Sequence, residues 1–371
     1  MPSRAFDAVV VGGGIVGAAC ALALSRAALR VALVERGETG AGATAAAMGH
    51  VVVLDDSPAQ LALSRYSQQL WKQIAGELPP DAEYTRRGTL WLATDDEEMR
   101  EVRRKHSVYC QHGIPCEVLD GQSVASAEPA LRPELAGGLL VNEDVVVVPQ
   151  IAARSLLDHL RDTSCTLVRE NAVAMGAGVV SLGNGEQLRA PILINAGGEW
   201  ASALTPGLPV QLRKGHLAMT QPYPGLLRYQ VVELGYLKSV HVTATESVAF
   251  NAQPRANGQI LVGSSRQYGE VSREIEPAIM ALMFARATEF LPGLPALAIE
   301  RTWTGFRSAT PDKLPLIGPW ANDETIYLAT GHEGLGITTS LGTAQLLADL
   351  ITGRTPAIPI EPYLPSRSIR H

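Results

Sequence analysis

Phe6-Asp-Ala-Val-Val-Val-Gly12-Gly13-Gly14-Ile15-Val16-Gly17, together with Val31-Ala-Leu-Val34-Glu35, decides the fold. Phe6 to Val11 reads as a short strand covered on both faces, because consecutive β-branched residues suit that environment. A G-x-G-x-x-G turn follows at once, then Ala18 to Arg30 with helical composition, then a second strand ending in an acid. That order gives the glycine pattern its meaning. Gly12 permits the tight turn, Gly14 lets a pyrophosphate approach the backbone, and Gly17 lets the helix pack closely on the strand. The helix start at Ile15 and Val16 offers unpaired N–H groups and a partial positive charge to phosphates. Glu35 lies 18 residues beyond Gly17, where a carboxylate can accept hydrogen bonds from a ribose diol. The same charge would repel a 2′-phosphate, which disfavours NADP. The unit is expected to bind a dinucleotide, and these residues alone leave FAD and NAD both open.

Composition narrows the field around that motif. The chain has 371 residues, with 31 Lys+Arg against 37 Asp+Glu and a formal net charge of −6. That length suggests two or so domains with a sizeable core. A hydrophobic content of 46% with 18% charged residues excludes a disordered or fibrous chain. The acidic balance and 5% aromatics argue against a nucleic-acid binder. No stretch reaches the roughly 20 uninterrupted apolar residues of a membrane span. The first apolar run lacks the cleavage region of a signal peptide. Cys20, Cys110, Cys116 and Cys165 are too few and scattered for a disulfide framework or a C-x-x-C metal site, so no metal is expected. Cys20, among alanines on the first helix, reads as a small core residue. The expected location is cytoplasmic, with peripheral association at the inner membrane as the alternative.

Gly40-Ala-Gly-Ala-Thr44-Ala45-Ala-Ala-Met48-Gly49-His50 is a run of small residues soon after Glu35. An NAD dehydrogenase would proceed to another crossover helix there. Small side chains suggest backbone pressed against something flat, and the plain alternative is an Ala-rich helix. Two further blocks matter: Ile192-Leu-Ile-Asn-Ala196-Gly197-Gly-Glu-Trp200, and the C-terminal Gly305-Phe-Arg307-Ser-Ala-Thr-Pro-Asp-Lys-Leu-Pro-Leu-Ile-Gly318 with Thr330-Gly331-His332-Glu333-Gly334-Leu335-Gly336-Ile337-Thr338. The second precedes an apolar-periodic segment, Ser340 to Ile351, so its glycines make another nest of N–H groups at a positive helix end.

With Glu35-Arg36, these blocks resemble the D-amino-acid oxidase-type family of FAD-dependent oxidoreductases, over nearly the whole chain. The resemblance implies an α/β fold: a Rossmann-like FAD-binding domain of the glutathione-reductase type, discontinuous over 1–85, 145–210 and 298–371. A mixed-sheet α+β substrate domain takes 86–144 and 211–297. It implies FAD contacts from Gly12, Gly14, Ile15, Val16, Gly17, Glu35, Arg36, Thr44, Ala45, Met48 and Gly49. Val173, Ala196, Gly197 and Trp200 follow, then Gly331, Glu333, Gly334, Leu335, Gly336, Ile337 and Thr338. Arg307 is implied to grip the substrate carboxylate. His50, just after Gly49, is implied on the substrate side, and a satisfied core histidine is its plainer reading. For His332 a structural role is favoured, and His216 stays unassigned. No cysteine follows Cys165, so the cysteinyl flavin link of some relatives cannot form in the C-terminal half, and non-covalent FAD is expected.

Two departures stand out. Where the family often has a carboxylate-holding aromatic three residues before the hairpin proline, this chain has Phe250-Asn251, and Ser308 replaces a common Pro. In the remainder, Gln150 to Arg161 reads as a helix and Cys165 to Val173 as a strand. Val210–Thr220, Val231–Thr243, Ser247–Gln253 and Gln259–Ser264 read as strands, with a turn at Pro254–Gly258. Glu274 to Leu291 reads as a helix with Ile275, Ile279, Leu282, Met283 and Phe290 inward.

The Gly331–Ser340 block is most similar to flavin subunits of bacterial D-hydroxyproline dehydrogenases. That implies oxidation of cis-4-hydroxy-D-proline or D-proline to a cyclic imine, with small iron–sulfur or flavin partner subunits as acceptors. The competing expectations are an oxygen-using glycine/sarcosine-type or D-amino-acid oxidase, and a non-catalytic FAD-binding subunit.

Overall fold

The computed structural model describes residues 6–160, 163–235 and 246–367. It separates into two compact units: Met1–Ala82 with Val147–Leu212 and Phe306–His371, and Glu83–Val146 with Arg213–Gly305.

The first unit is built on a six-stranded sheet, in the order Leu316–Trp320, Asp323–Thr330, Ile192–Asn195, Ala8–Val11, Val31–Val34, Thr166–Val168. All neighbours are parallel except the first pair, which is a hairpin. Ala8–Val11 and Val31–Val34 are buried at every position, as strands covered on both faces must be. The helix Ile15–Arg26 packs on the C-terminal helix Gly336–Thr352, which also carries the helix Pro58–Ile74. Cys20 is fully buried, and burial pushes its thiol up to about 12, so it is an inert core residue.

The segment expected as one strand from Cys165 to Val173 divides. Thr166–Val168 joins the large sheet, and Ala172–Gly176 begins an antiparallel meander with Val179–Leu182 and Gln187–Arg189. The polar Arg169-Glu-Asn171 step cannot continue into a buried sheet, and the chain leaves it there. The helix expected over 150–161 runs Pro149–Asp158, with proline at its first turn, and Arg161 lies outside the described residues.

The second unit carries an eight-stranded sheet, in the order Ile299–Ala309, Gln211–Thr220, Ile260–Tyr268, Glu246–Pro254, Gln230–Glu233, Thr89–Ala93, Gly137–Val141, Cys116–Asp120. Gln230–Glu233 and Thr89–Ala93 run parallel, so the sheet is mixed. Of the strand expected over 231–243, positions 236–243 lie outside the described residues. The helix Pro277–Phe290 covers one face, burying Phe290 against Phe250, Ala252 and Val262 and Met283 against Ala218, with Ile279 buried as well. Ile275 precedes that helix and is exposed, and Leu282 points outward at 55% exposure, so neither belongs to the inward stripe. The 299–309 strand carries the chain back into the first unit.

Candidate functional site

The glycine turn is tied at both ends. Ala196 N donates to Val11 O at 2.9 Å, and a Cβ on Gly12 would lie 2.4 Å from Ala196 O. A Cβ on Gly17 would lie 1.8 Å from Gly12 O, so only glycine lets the helix sit this close to the turn. Glu35, at the end of Val31–Val34, accepts from Gly13 N at 2.7 Å and from Gly37 N at 2.8 Å. Its carboxylate is therefore held at the turn. Thr44 Oγ1 accepts from Ile15 N at 3.0 Å. The helix Ile15–Arg26 has Gly14 as its N-cap, no side-chain cap and no acid in its first turn. The first-turn amides of Val16 and Gly17 have no acceptor within the helix, by its geometry. The Ile15 amide is taken by Thr44, and the remaining first-turn amides at this positively poled helix start, beside an anchored carboxylate, fit the diphosphate and ribose of a dinucleotide.

Residues 39–46 form consecutive turns rather than an Ala-rich helix, and the chain enters the two-residue strand His50–Val51 through Gly49. Ala45 is exposed and Met48 half-buried on that run. Arg36 stacks on Trp200, its guanidinium carbon 4.3 Å from the ring centroid, so two separately expected contact residues meet. Gly197 N donates to Asn195 Oδ1 at 3.0 Å. Val173 is apart from these: it is 55% exposed on the small meander, at a register shift between Ala172 and Ala174.

The C-terminal block comes to the same unit. Gly331 leaves the strand Asp323–Thr330, Glu333–Leu335 makes a 3-10 turn, and Gly336 opens a helix with no side-chain cap or first-turn acid. Thr338 Oγ1 donates to His50 O at 2.9 Å and accepts from Val52 N at 3.2 Å. The 44–52 run is thereby tied to the C-terminal helix. Half-buried Arg307 reaches this loop, its Nε 3.9 Å from where a Cβ on Gly334 would stand. Arg307 thus approaches this segment at Gly334, and Thr338, four residues on, ties the backbone of His50 to it.

His332 is buried, with Nε2 3.0 Å from Thr343 Oγ1, and burial lowers its pKa to about 4. It is a neutral structural residue. His216, in the second unit, is also buried: Nδ1 lies 2.8 Å from Ser265 Oγ, and Nε2 accepts from Glu276 N at 3.2 Å. Phe250 stacks on Phe290 at 4.9 Å in the apolar core. Asn251 lies on the opposite face of that strand, buried, and its Oδ1 has no hydrogen-bond partner among the described residues.

Sequence reasoning missed Trp71, whose Nε1 donates to Ile337 O at 3.1 Å and Thr338 O at 3.2 Å and braces the start of the C-terminal helix. It also missed Ser67, whose Oγ accepts from Gly342 N at 2.9 Å. Only the amphipathic spacing of 58–74 hinted that these residues face a partner helix.

The family model "FAD dependent oxidoreductase" matches residues 7–350. A glycine oxidase from Pseudomonas aeruginosa is 30% identical, with 96% of this chain and 98% of that protein aligned. The hydrogen cyanide synthase subunit HcnC of the same organism is 30% identical over 98% of this chain and 97% of its own. The crystal structure of glycine oxidase from Geobacillus kaustophilus superposes with a TM-score of 0.88 at 25% identity, covering 99% of this chain and all of that one. The chain belongs to the FAD-dependent oxidoreductase (DAO) family.

Proposed function

We propose that this chain oxidises an amino or imino acid at its Cα, with cis-4-hydroxy-D-proline or D-proline as the preferred donor and a cyclic imine as product. The observation that carries the reading is Arg307 beside Gly334, on the loop that leads into Thr338 and its bond to His50. A planar guanidinium takes both oxygens of a carboxylate, which orients the Cα–H without any further group. FAD, the cofactor of the family, supplies a hydride acceptor when bound. The residues that hold it in this reading are the glycine turn with Glu35, Arg36 and Trp200, the Thr44–Gly49 run, and Gly331–Leu335 with the first helical residues Gly336–Thr338; Val173 serves the adenine end. No covalent anchor is involved. His50 is read as facing the substrate amine. The uncapped start of the C-terminal helix favours negative charge on the reduced cofactor.

Electrons then pass to small partner subunits; likeness to a protein named as a synthase subunit supports an assembly. Likeness to glycine oxidases favours a second reading, oxidation of glycine or sarcosine with oxygen as acceptor. Anaerobic bleaching of the flavin band by a panel of D- and L-amino and imino acids separates the two. Selective bleaching by D-proline or its cis-4-hydroxy derivative is expected. Bleaching by glycine or sarcosine alone, with hydrogen peroxide formed in air, would replace the first reading by the second. Failure of every compound would reduce the chain to an FAD-binding subunit.

A further inference from the structure

The second unit gathers His106, Cys110 and Cys116, which the sequence spreads over a helix, a turn and a strand. His106 and Cys110 stand four residues apart on the helix Asp96–Gln111, hence on one face. That helix ends in a Schellman turn. Gly113 adopts φ +65°, Ile114 N donates to Tyr109 O at 2.9 Å and Gly113 N donates to Cys110 O at 3.0 Å. Tyr109 and Ile114 are both buried beneath it. Cys116 then opens the strand Cys116–Asp120, in register with Val141 of the neighbouring strand. Helix, turn and sheet therefore position the three side chains before any ligand arrives.

Their spacing is that of a coordination edge. Cys110 Sγ lies 3.5 Å from His106 Nε2, and all three donor atoms lie within 4.8 Å of one another. Bonds of about 2.3 Å to sulfur and about 2.0–2.1 Å to nitrogen in a tetrahedral zinc site put N and S about 3.5 Å apart. Cys110 is exposed and the other two are half-buried, so an ion can enter from solvent. We propose that His106 Nε2, Cys110 Sγ and Cys116 Sγ form a binding site for a thiophilic cation of the zinc class, its fourth position open to water or an external thiolate. A set of two sulfurs and one imidazole selects zinc or cuprous copper over magnesium or calcium, which require oxygen. Coordination releases the thiol protons to solvent, with no change of oxidation state. The site lies in the second unit, whereas every residue read as holding FAD lies in the first, so its loss should leave flavin content unchanged.

The test uses the full-length, FAD-loaded protein, reduced, stripped with a chelator and titrated with Zn²⁺ against a chromogenic competitor. One tightly bound zinc per chain is expected, with two thiols thereby protected from a thiol reagent. Cys110→Ser and Cys116→Ser should weaken binding by about 100-fold or more, His106→Ala should weaken it too, and Cys165→Ser should not. Co²⁺ in place of zinc should add absorption to the red of the flavin bands. Equal affinity in wild type and Cys110→Ser would overturn the proposal. So would failure of the reduced protein to bind zinc, including the case in which Cys110 and Cys116 are recovered only as a disulfide.

Discussion

Arg307 tests the site at the scale of one side chain. If it holds a substrate carboxylate through two parallel hydrogen bonds, lysine keeps the charge and loses the fork. Arg307→Lys should raise KM by about 10–100-fold, equivalent to about 1.4–2.8 kcal/mol, while flavin content stays at the wild-type level. Steady-state kinetics on the FAD-loaded variant would read this, and an unchanged KM would remove Arg307 from substrate binding. His332 makes a different prediction, about stability. Burial holds it neutral with a pKa of about 4, against an ordinary value of 6.5. The unfolded chain therefore binds a proton between these values that the native protein does not. Stability from this residue is fully present above pH 6.5 and is lost progressively as pH falls toward 4. His332→Gln, which cannot charge, should lose about 2 kcal/mol less than wild type between pH 7.5 and pH 5. Urea denaturation of both proteins at the two pH values would measure the difference, and parallel losses would mean that His332 protonates in the folded state.

At the scale of elements, the helix Pro277–Phe290 begins at a buried charge. Lys214 is fully buried and its Nζ donates to Glu276 Oε1 at 2.7 Å, while Gln267 Nε2 donates to the other oxygen at 2.9 Å. Removing the acid leaves a buried ammonium without its ion-pair partner. Glu276→Ala should therefore destabilise by about 2 kcal/mol, less than for a fully buried pair because Glu276 is partly exposed. Arg104→Ala, at the exposed Glu101–Arg104 pair, should change stability by under about 0.5 kcal/mol. Equal effects in urea denaturation would mean that Lys214 finds another partner. The elements legible in the sequence are those whose local signal and tertiary role agree. Ala8–Val11 with its glycine turn is of this kind, and so is the C-terminal helix, read over Ser340–Ile351 and starting one turn earlier, at Gly336. The Cys165–Val173 reading failed because it ran one strand through the polar Arg169-Glu-Asn171 step, where the chain passes from one sheet to another. Leu282 failed because helical spacing in so apolar a segment as 277–290 selects no unique face. The strands Thr89–Ala93 and Gly137–Val141 drew no reading at all: both are buried at every position, so they show no alternation. The approach of Cys116 to His106 and Cys110 depends on a turn at Gly113 that residue spacing alone does not reveal.

At the scale of the whole molecule, the first unit's sheet is assembled from three distant segments. Ala8–Val11 pairs with Ile192–Asn195, which pairs with Asp323–Thr330, while the first helix packs on the helix of the C-terminal segment. None of these segments completes the sheet alone, so a ligand that bridges the glycine turn and the 331–338 segment stabilises all three together. Free FAD at about 100 times its Kd should then add about 2.7 kcal/mol, which for a unit of this size is a rise of about 5–10 °C in Tm. Gly17 lies where that coupling passes, since the helix rests on Gly12 O through the missing Cβ. Gly17→Ala must push the first helix off the turn, which carries away the amides at its start along with the packing on the C-terminal helix. This variant should unfold at a lower temperature than wild type and show little or no rise in Tm as FAD is added. Thermal unfolding of the two proteins over a series of FAD concentrations would check it. A Gly17→Ala protein with the wild-type FAD response would mean that the cofactor is held without the first helix, and the dinucleotide assignment of the Gly12–Gly17 turn would fall with it.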